Sequence, residues 1–273
     1  MRPIPQLIAR RGMVKAKGFP WPLAWLLCRS MTPQMTAQRI HAIDLARTFA
    51  LMAMAMYHFT FDLMLFGHLP PGFVFQGPWP LIARAIASSF LFLAGVSLWL
   101  AHCHGIRWNS FLRRFAMVAG AAALVTGATY FTMGAQFIRW GILHAIAAGS
   151  LIGLVFLRAP VMLTVTVAVA AFVAPHLGRF DVFNAPHWVW LGLSTEIPPM
   201  SDYEPLLPWL CPLLLGIATA KLMTRAGAWD RLGQWQLNGA AKALLWPGKH
   251  SLAIYLIHQP VLFGAVYLFT RYV

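Results

Sequence analysis

Charged residues are scarce in this sequence. They make up 10% of its 273 residues, and only seven of them are acidic. Apolar residues make up 59% of the chain, and its mean hydropathy is +0.65. Soluble domains contain about 25% charged and about 45–50% apolar residues. The composition therefore excludes a water-soluble globular fold and predicts an integral membrane protein.

Cysteine is also rare. Cys28, Cys103 and Cys211 are scattered, and they form no CxxC motif or metal-ligand spacing. This pattern excludes a disulfide framework, and we predict no metal site and no tightly bound cofactor. No internal repeat is visible, so an inverted-repeat transporter is not indicated.

Long apolar segments follow one another through most of the chain. Because a helical span needs about 20 residues, we predict a single all-α bundle of about seven transmembrane helices over residues 40–273. The 12 tryptophans fit anchoring at the two membrane interfaces. The longest loop, 176–204, is predicted to fold as an outer cap. The predicted spans are 43–66, 79–100, 113–132, 137–157, 160–175, 205–223 and 249–270.

The basic residues are distributed unevenly between the two ends of these spans. If the N-terminus lies inside, sixteen Lys and Arg fall on the inner side and three on the outer side. This asymmetry predicts a cytoplasmic N-terminus and an outer C-terminus, and it explains the net charge of +14 without nucleic acid. Residues 1–39 carry seven basic residues and no acid, and we predict a disordered cytoplasmic extension.

The first span carries four ionisable residues on one face. At 100° per residue, Asp44, Arg47, His58 and Asp62 fall within an arc of about 60° and extend over about 27 Å. Ionisable residues inside spans face the bundle interior and mark function. Asp44 and Arg47 have an alternative interpretation as an interfacial ion pair. Asp62 one turn from His58 is the arrangement of an oriented general base.

Other spans add further candidates. Arg84 in the second span is predicted to pair with Asp62 or to contact substrate. His144 lies in the fourth span, and His68 lies at the outer mouth of the first. Ser251, Tyr255 and His258 share one face of the last span, with Gln259 beside them.

Several segments together resemble the bacterial branch of the heparan-alpha-glucosaminide N-acetyltransferase catalytic-domain family, over roughly residues 39–270. The resemblance rests on Ile43–Arg47 with the later His58 and Asp62, and on Gly141–Ala147, Asp202–Trp209 and Gly248–Pro260. The ten-residue spacing between Arg47 and His58 is similar to that of membrane acyltransferases that acetylate bacterial surface polysaccharides. The sequence departs from the family pattern in two ways. Position 48 is Thr where the family usually has Gly, and the key histidine of the animal enzymes lies at a position nearer to His68 than to His58.

The resemblance implies a transmembrane acetyltransferase in the bacterial inner membrane. The acetyl group would pass from cytoplasmic acetyl-CoA to an amino or hydroxyl group of a sugar or glycan on the periplasmic side. His58 would be the base, Asp62 would orient it, and His258, Tyr255 or Gln259 would stabilise the oxyanion; an acetyl-histidine intermediate is an alternative. His68 and His144 are alternative catalytic residues. The predicted substrate or cofactor contacts are Asp44, Arg47, Arg84, Arg113, Arg114, Lys249, Ser251, Tyr255 and Gln259, with Arg113, Arg114 and Lys249 on the CoA phosphates.

Two other classes of protein remain open. A transporter or channel for polar solutes would use the same polar face without chemistry. A b-type haem protein would need two facing histidines at one depth, and His58 with His144 nearly qualifies. The sequence does not predict an oligomeric state.

Overall fold

A computed structural model describes residues 40–197 and 199–272, and that part of the chain is mostly helical and contains no strand. The predicted disordered extension, residues 1–39, lies outside the described residues. Short 3-10 helices interrupt the loops. The α-helices are α1 (His41–Leu65), α2 (Trp79–His102), α3 (Trp108–Met133), α4 (Ile142–Phe156), α5 (Val161–Leu177), α6 (Leu206–Arg225), α7 (Ala228–Gln234), α8 (Leu245–Lys249) and α9 (Ser251–Tyr272).

Five helices in the described part of the chain are long and apolar enough to cross a membrane: α1, α2, α3, α6 and α9. The predicted all-α membrane bundle is therefore confirmed. The count of about seven spans is not, because α4 and α5 have only 15 and 17 residues. A 15-residue helix is about 22 Å long, whereas the hydrocarbon core is about 30 Å thick. We call the end of the bundle that holds residues 103–107, 157–160 and 226–250 the basic side, and the opposite end the cap side.

Helix α6 lies at the centre of the bundle and packs against α2 through two glycines. A Cβ added to Gly95 would lie 2.0 Å from the Leu213 carbonyl oxygen, and one added to Gly216 would lie 2.2 Å from that of Phe92. Only glycine lets the two backbones approach this closely. The contact fixes α2, which supplies one wall of the candidate site.

The short helices α4 and α5 pack against α6 as a hairpin held by Lys221. This side chain is 1% exposed, and its ammonium donates to the carbonyl oxygens of Phe156 at 2.5 Å and Ala159 at 2.7 Å, and to Thr164 Oγ1 at 3.4 Å. The lysine therefore binds one carbonyl at the end of α4 and one in the turn that follows, where carbonyls lack intrahelical partners. Its three donors all have acceptors, which offsets the cost of burying the charge.

Helix α9 runs parallel to α1, and α8 fixes where it starts. Thr48 on α1 donates to the Leu244 carbonyl at 2.7 Å and accepts from the Gly248 amide at 2.9 Å. A Cβ added to Gly248 would lie 1.8 Å from the Asp44 carbonyl oxygen. Thr48 thus joins α1 to α8 where the two backbones lie close together.

The loop before α6 folds as the predicted cap. It contains a 3-10 helix over Pro186–Leu191. Tyr203 Oη donates to the Val189 carbonyl at 2.8 Å, and the Ser201 amide donates to that of Gln136 at 3.1 Å. The first bond closes the cap on itself, and the second holds it against the turn before α4.

Candidate functional site

The charged face of α1 points into the bundle. Asp44 and Asp62 are 3% and 0% exposed, whereas Phe49, Met52 and Met56 on the opposite face are exposed. The inward orientation predicted from the helical spacing is therefore confirmed. We call Asp44, Arg47, His58 and Asp62, which follow α1 from the basic side to the cap side, the polar seam.

The basic-side end of the polar seam joins α1 to α2. Arg47 Nη1 donates to Asp44 Oδ1 at 3.0 Å, so the ion pair considered from the sequence is present. Arg47 Nη2 also donates to Ser97 Oγ on α2 at 2.6 Å. The arginine is therefore held between two helices, and its side chain is 24% exposed.

Two histidines meet in the middle of the polar seam. The ring centroids of His58 on α1 and His258 on α9 are 5.0 Å apart, in an edge-to-face arrangement. His258 Nδ1 lies 2.6 Å from the Tyr255 carbonyl oxygen. A carbonyl can only accept, so Nδ1 carries the proton and a neutral His258 has its lone pair on Nε2. Nε2 is buried and has no hydrogen-bond partner among the described residues.

Asp62 does not contact the groups predicted from the sequence. Its Oδ1 accepts a hydrogen bond from Gln259 Nε2 at 2.8 Å, and no hydrogen bond joins it to His58 in the described part of the chain. No ion pair joins Asp62 and Arg84 there either, since Arg84 is exposed on α2 and its charge acts on Glu204. The reason is that α9 packs along α1 and brings Gln259 opposite Asp62.

The two alternative histidines are engaged elsewhere. His144 Nδ1 accepts from the Gly141 amide at 3.3 Å, and its Nε2 lies 3.4 Å from Thr126 Oγ1. His144 therefore caps α4, and both ring nitrogens have a partner. His68 Nε2 lies 2.7 Å from Thr270 Oγ1, which ties the loop after α1 to the end of α9. Both histidines therefore have structural partners outside the polar seam.

A cleft opens on the basic side between α2, α3 and α4. It is small, with a volume of about 20 Å³, and its lining includes His102, Arg114 and Ser150 with apolar residues between them. Arg113 and Arg114 are both exposed, but only Arg114 lines the cleft. Lys249, at the end of α8, is half-buried and also lies outside the lining. Of the three cations predicted to hold phosphates, the structure places only Arg114 at this cleft.

The remaining predicted residues lie along α9. Ser251 and Tyr255 are half-buried, as is Gln259 beside Asp62. The Tyr255 ring contacts His258 with centroids 5.6 Å apart and Phe90 on α2 at 6.4 Å. Tyr255 thus faces the space between α2 and α9, next to the histidine pair.

The sequence analysis missed an acidic pair on the cap side. Asp202 Oδ2 accepts from the Ile142 amide at the start of α4, at 3.2 Å. Burial raises the pKa of Asp202 to about 6, against that hydrogen bond. Burial, reinforced by the charge of Asp202, raises the pKa of Glu204 to about 9, although Arg84 opposes the shift. The sequence does contain a signal for this pair, because the two acids lie among prolines and aromatic residues just before an apolar helix.

One family model matches the chain. It is described as the catalytic domain of heparan-alpha-glucosaminide N-acetyltransferase, and it covers residues 39–260. No curated protein and no solved structure matches the chain. The matched range contains the polar seam, the histidine pair, the basic-side cleft and the acidic pair. The chain belongs to the heparan-alpha-glucosaminide N-acetyltransferase catalytic family.

Proposed function

We propose that this protein moves an acetyl group from acetyl-CoA on the basic side of the bundle to an amino or hydroxyl group of a sugar on the cap side. The observation that carries the proposal is the polar seam, which faces inward and leads from the ion pair of Arg47 to the histidine pair. A helix that only anchored a protein would not bury two carboxylates and an arginine along its length, because unpaired charge in a membrane is costly.

The donor would enter at the basic-side cleft. Arg114 lines this cleft and lies close enough to Arg47 for the two positive charges to interact. Two neighbouring cations would attract the phosphates of CoA and pair with them. The thioester would then lie along the polar seam towards His258.

The chemistry would centre on His258. Its Nε2 takes a proton from the attacking amine or hydroxyl, and the new bond to the thioester carbon forms a tetrahedral intermediate. When the carbon–sulfur bond breaks, the same proton passes to the leaving thiolate, so the products are the acetylated sugar and CoA. This assignment exchanges the roles predicted from the sequence, because the tautomer of His258 is set and that of His58 is not. His58 and the Tyr255 hydroxyl are left to donate to the oxyanion.

The orientation follows from the same charge asymmetry that the sequence shows. The sixteen Lys and Arg that the sequence assigns to the inner side, against three on the outer side, support a cytoplasmic basic side and a cytoplasmic N-terminus. The motifs of the bacterial branch support a bacterial inner membrane, with the cap in the periplasm. Acetyl-CoA is a cytoplasmic metabolite, so donor and acceptor would lie on opposite sides.

The test uses two adjacent arginines as variant and control. Purified protein is titrated with acetyl-CoA, and transfer of labelled acetyl to glucosamine is measured. Arg114→Gln is expected to raise the Kd for acetyl-CoA about tenfold, equivalent to about 1.4 kcal/mol, whereas Arg113→Gln leaves it within about twofold.

The contradicting outcomes are equally specific. Absence of acetyl-CoA binding to the wild type, together with solute flux in proteoliposomes that contain no acetyl-CoA, would establish the transporter alternative. Equal effects of the two arginine variants would remove the cleft from the donor site.

A further inference from the structure

The cap is fixed to the start of α4 by two hydrogen bonds. The Glu204 amide donates to the Trp140 carbonyl at 3.3 Å, and the Ile142 amide donates to Asp202 Oδ2 at 3.2 Å. Trp140 and Glu204 are therefore neighbours across a junction between two rigid elements. Neither residue was singled out by the sequence as a site residue.

Two side-chain atoms at this junction are buried without a partner. Trp140 Nε1 has no acceptor, and Glu204 Oε2 has no hydrogen-bonding partner, among the residues that the structure describes. A buried polar group left unsatisfied costs about 1–3 kcal/mol. The indole nitrogen can only donate, whereas a carboxyl oxygen accepts and, when protonated, also donates. A hydroxyl group is the simplest ligand that meets both needs at once.

The Trp140 ring is held in a fixed orientation. It stacks on His144, with centroids 5.3 Å apart and planes 30° apart, and it contacts Trp190 at 6.0 Å. His144 is itself fixed as the cap of α4. A Trp that is packed from two directions presents its nitrogen in one direction, as a binding site requires.

We propose that Trp140 and Glu204 form a hydroxyl-binding subsite, which selects the acceptor by a ring hydroxyl next to the group that is acetylated. The proposal rests on the proposed function, because it identifies the cap as the acceptor side of the same site. Trp140 Nε1 donates to the hydroxyl oxygen, and the hydroxyl hydrogen is donated to Glu204. Specificity for a sugar follows, since an amine without a ring hydroxyl leaves both atoms unpaired.

The electrostatics at the junction suit a neutral ligand group. Burial and the charge of Asp202 raise the pKa of Glu204 to about 9, so the carboxyl is protonated at neutral pH. The Tyr255 and Tyr57 side chains also lie within the electrostatic reach of Glu204. A neutral carboxyl pairs with a hydroxyl and does not preferentially attract an ammonium group. The subsite therefore complements the histidine pair, where the nucleophile would lose its proton.

The experiment compares matched tryptophan and glutamate variants of the purified full chain. Glucosamine binding is measured by calorimetry without acetyl-CoA, and acetyl-CoA binding is measured separately. Trp140→Phe and Glu204→Gln are each expected to raise the Kd for glucosamine about tenfold and to leave the Kd for acetyl-CoA within about twofold. The controls are Trp188→Phe and Glu196→Gln, which make the same changes elsewhere in the cap and should leave glucosamine binding unchanged.

Each result separates the two proposals. Glucosamine binding that Trp140→Phe does not weaken, or no glucosamine binding by the wild type, overturns the subsite. Weakened glucosamine binding by the variants, in a protein that does not bind acetyl-CoA, supports the subsite and contradicts the acetyltransferase. A folding defect is recognised because it lowers the affinity for acetyl-CoA as well.

Discussion

Replacing His258 by Asn separates its chemical role from its structural one. The amide nitrogen of Asn is placed near the position of Nδ1 and can keep the hydrogen bond to the Tyr255 carbonyl, which is 2.6 Å long in the wild type. The basic Nε2, which is buried without a partner, is lost. The substitution therefore removes the proposed base and leaves the helix geometry in place.

The magnitude follows from the value of general base catalysis. Loss of a positioned base costs about 10²–10⁴ in rate, or about 3–5 kcal/mol of barrier. We expect His258→Asn to lower kcat for acetyl transfer by this factor, and to leave the Kd for acetyl-CoA within about twofold. His58→Asn is the comparison, and its loss is expected to stay below the factor of about 10²–10³ that removal of an oxyanion donor costs, since the Asn amide can still donate.

The assay is transfer of labelled acetyl to glucosamine at saturating acetyl-CoA, with the affinity for acetyl-CoA measured in parallel. The reasoning is refuted if His258→Asn keeps more than a tenth of the wild-type kcat while His58→Asn abolishes transfer. That result would return the role of base to His58, as the sequence predicts.

Two further predictions concern packing and protonation. Gly216→Ala is expected to lower the thermal unfolding midpoint strongly, because its Cβ would lie 2.2 Å from the Phe92 carbonyl oxygen. The control is Gly264→Ala, in open space on α9, which is expected to leave the midpoint unchanged or raise it. Equal effects of the two substitutions would contradict the close contact. Because the pKa of Glu204 is raised from 4.5 to about 9 in the folded protein, the folded protein binds one more proton than the unfolded chain between these two pH values. Stability should therefore fall as pH rises through that window. A thermal midpoint that falls as steeply with pH in Glu204→Gln as in the wild type would refute this.

The membrane class and the orientation of α1 were accessible from the sequence because both depend on local patterns. Apolar runs indicate helices whatever their neighbours, and the spacing of Asp44 and Asp62 places them on one face. The exact ends of the helices were less accessible from the sequence. Helix α4 begins at Ile142 and not near 137, since residues 134–136 form a 3-10 turn.

The partners of the site residues were not accessible, since they depend on how distant helices pack. Gln259 lies 197 residues from Asp62 in sequence, yet it donates to it because α9 runs parallel to α1. The nearby His58 was the natural candidate from the i,i+4 spacing alone. Lys221 is another case: it is one of the sixteen basic residues that the sequence assigns to the inner side, but it is buried where α4 and α5 meet α6. Only the tertiary structure supplies its acceptors.

Transfer across a sealed membrane tests the central claim most directly. The protein is reconstituted in one orientation, with acetyl-CoA supplied to the basic side only and glucosamine to the cap side only. Acetylated glucosamine should then form on the cap side, and reversing the two substrates should give none. Product that forms only when both substrates share one compartment would contradict a polar seam that carries the acetyl group through the bundle.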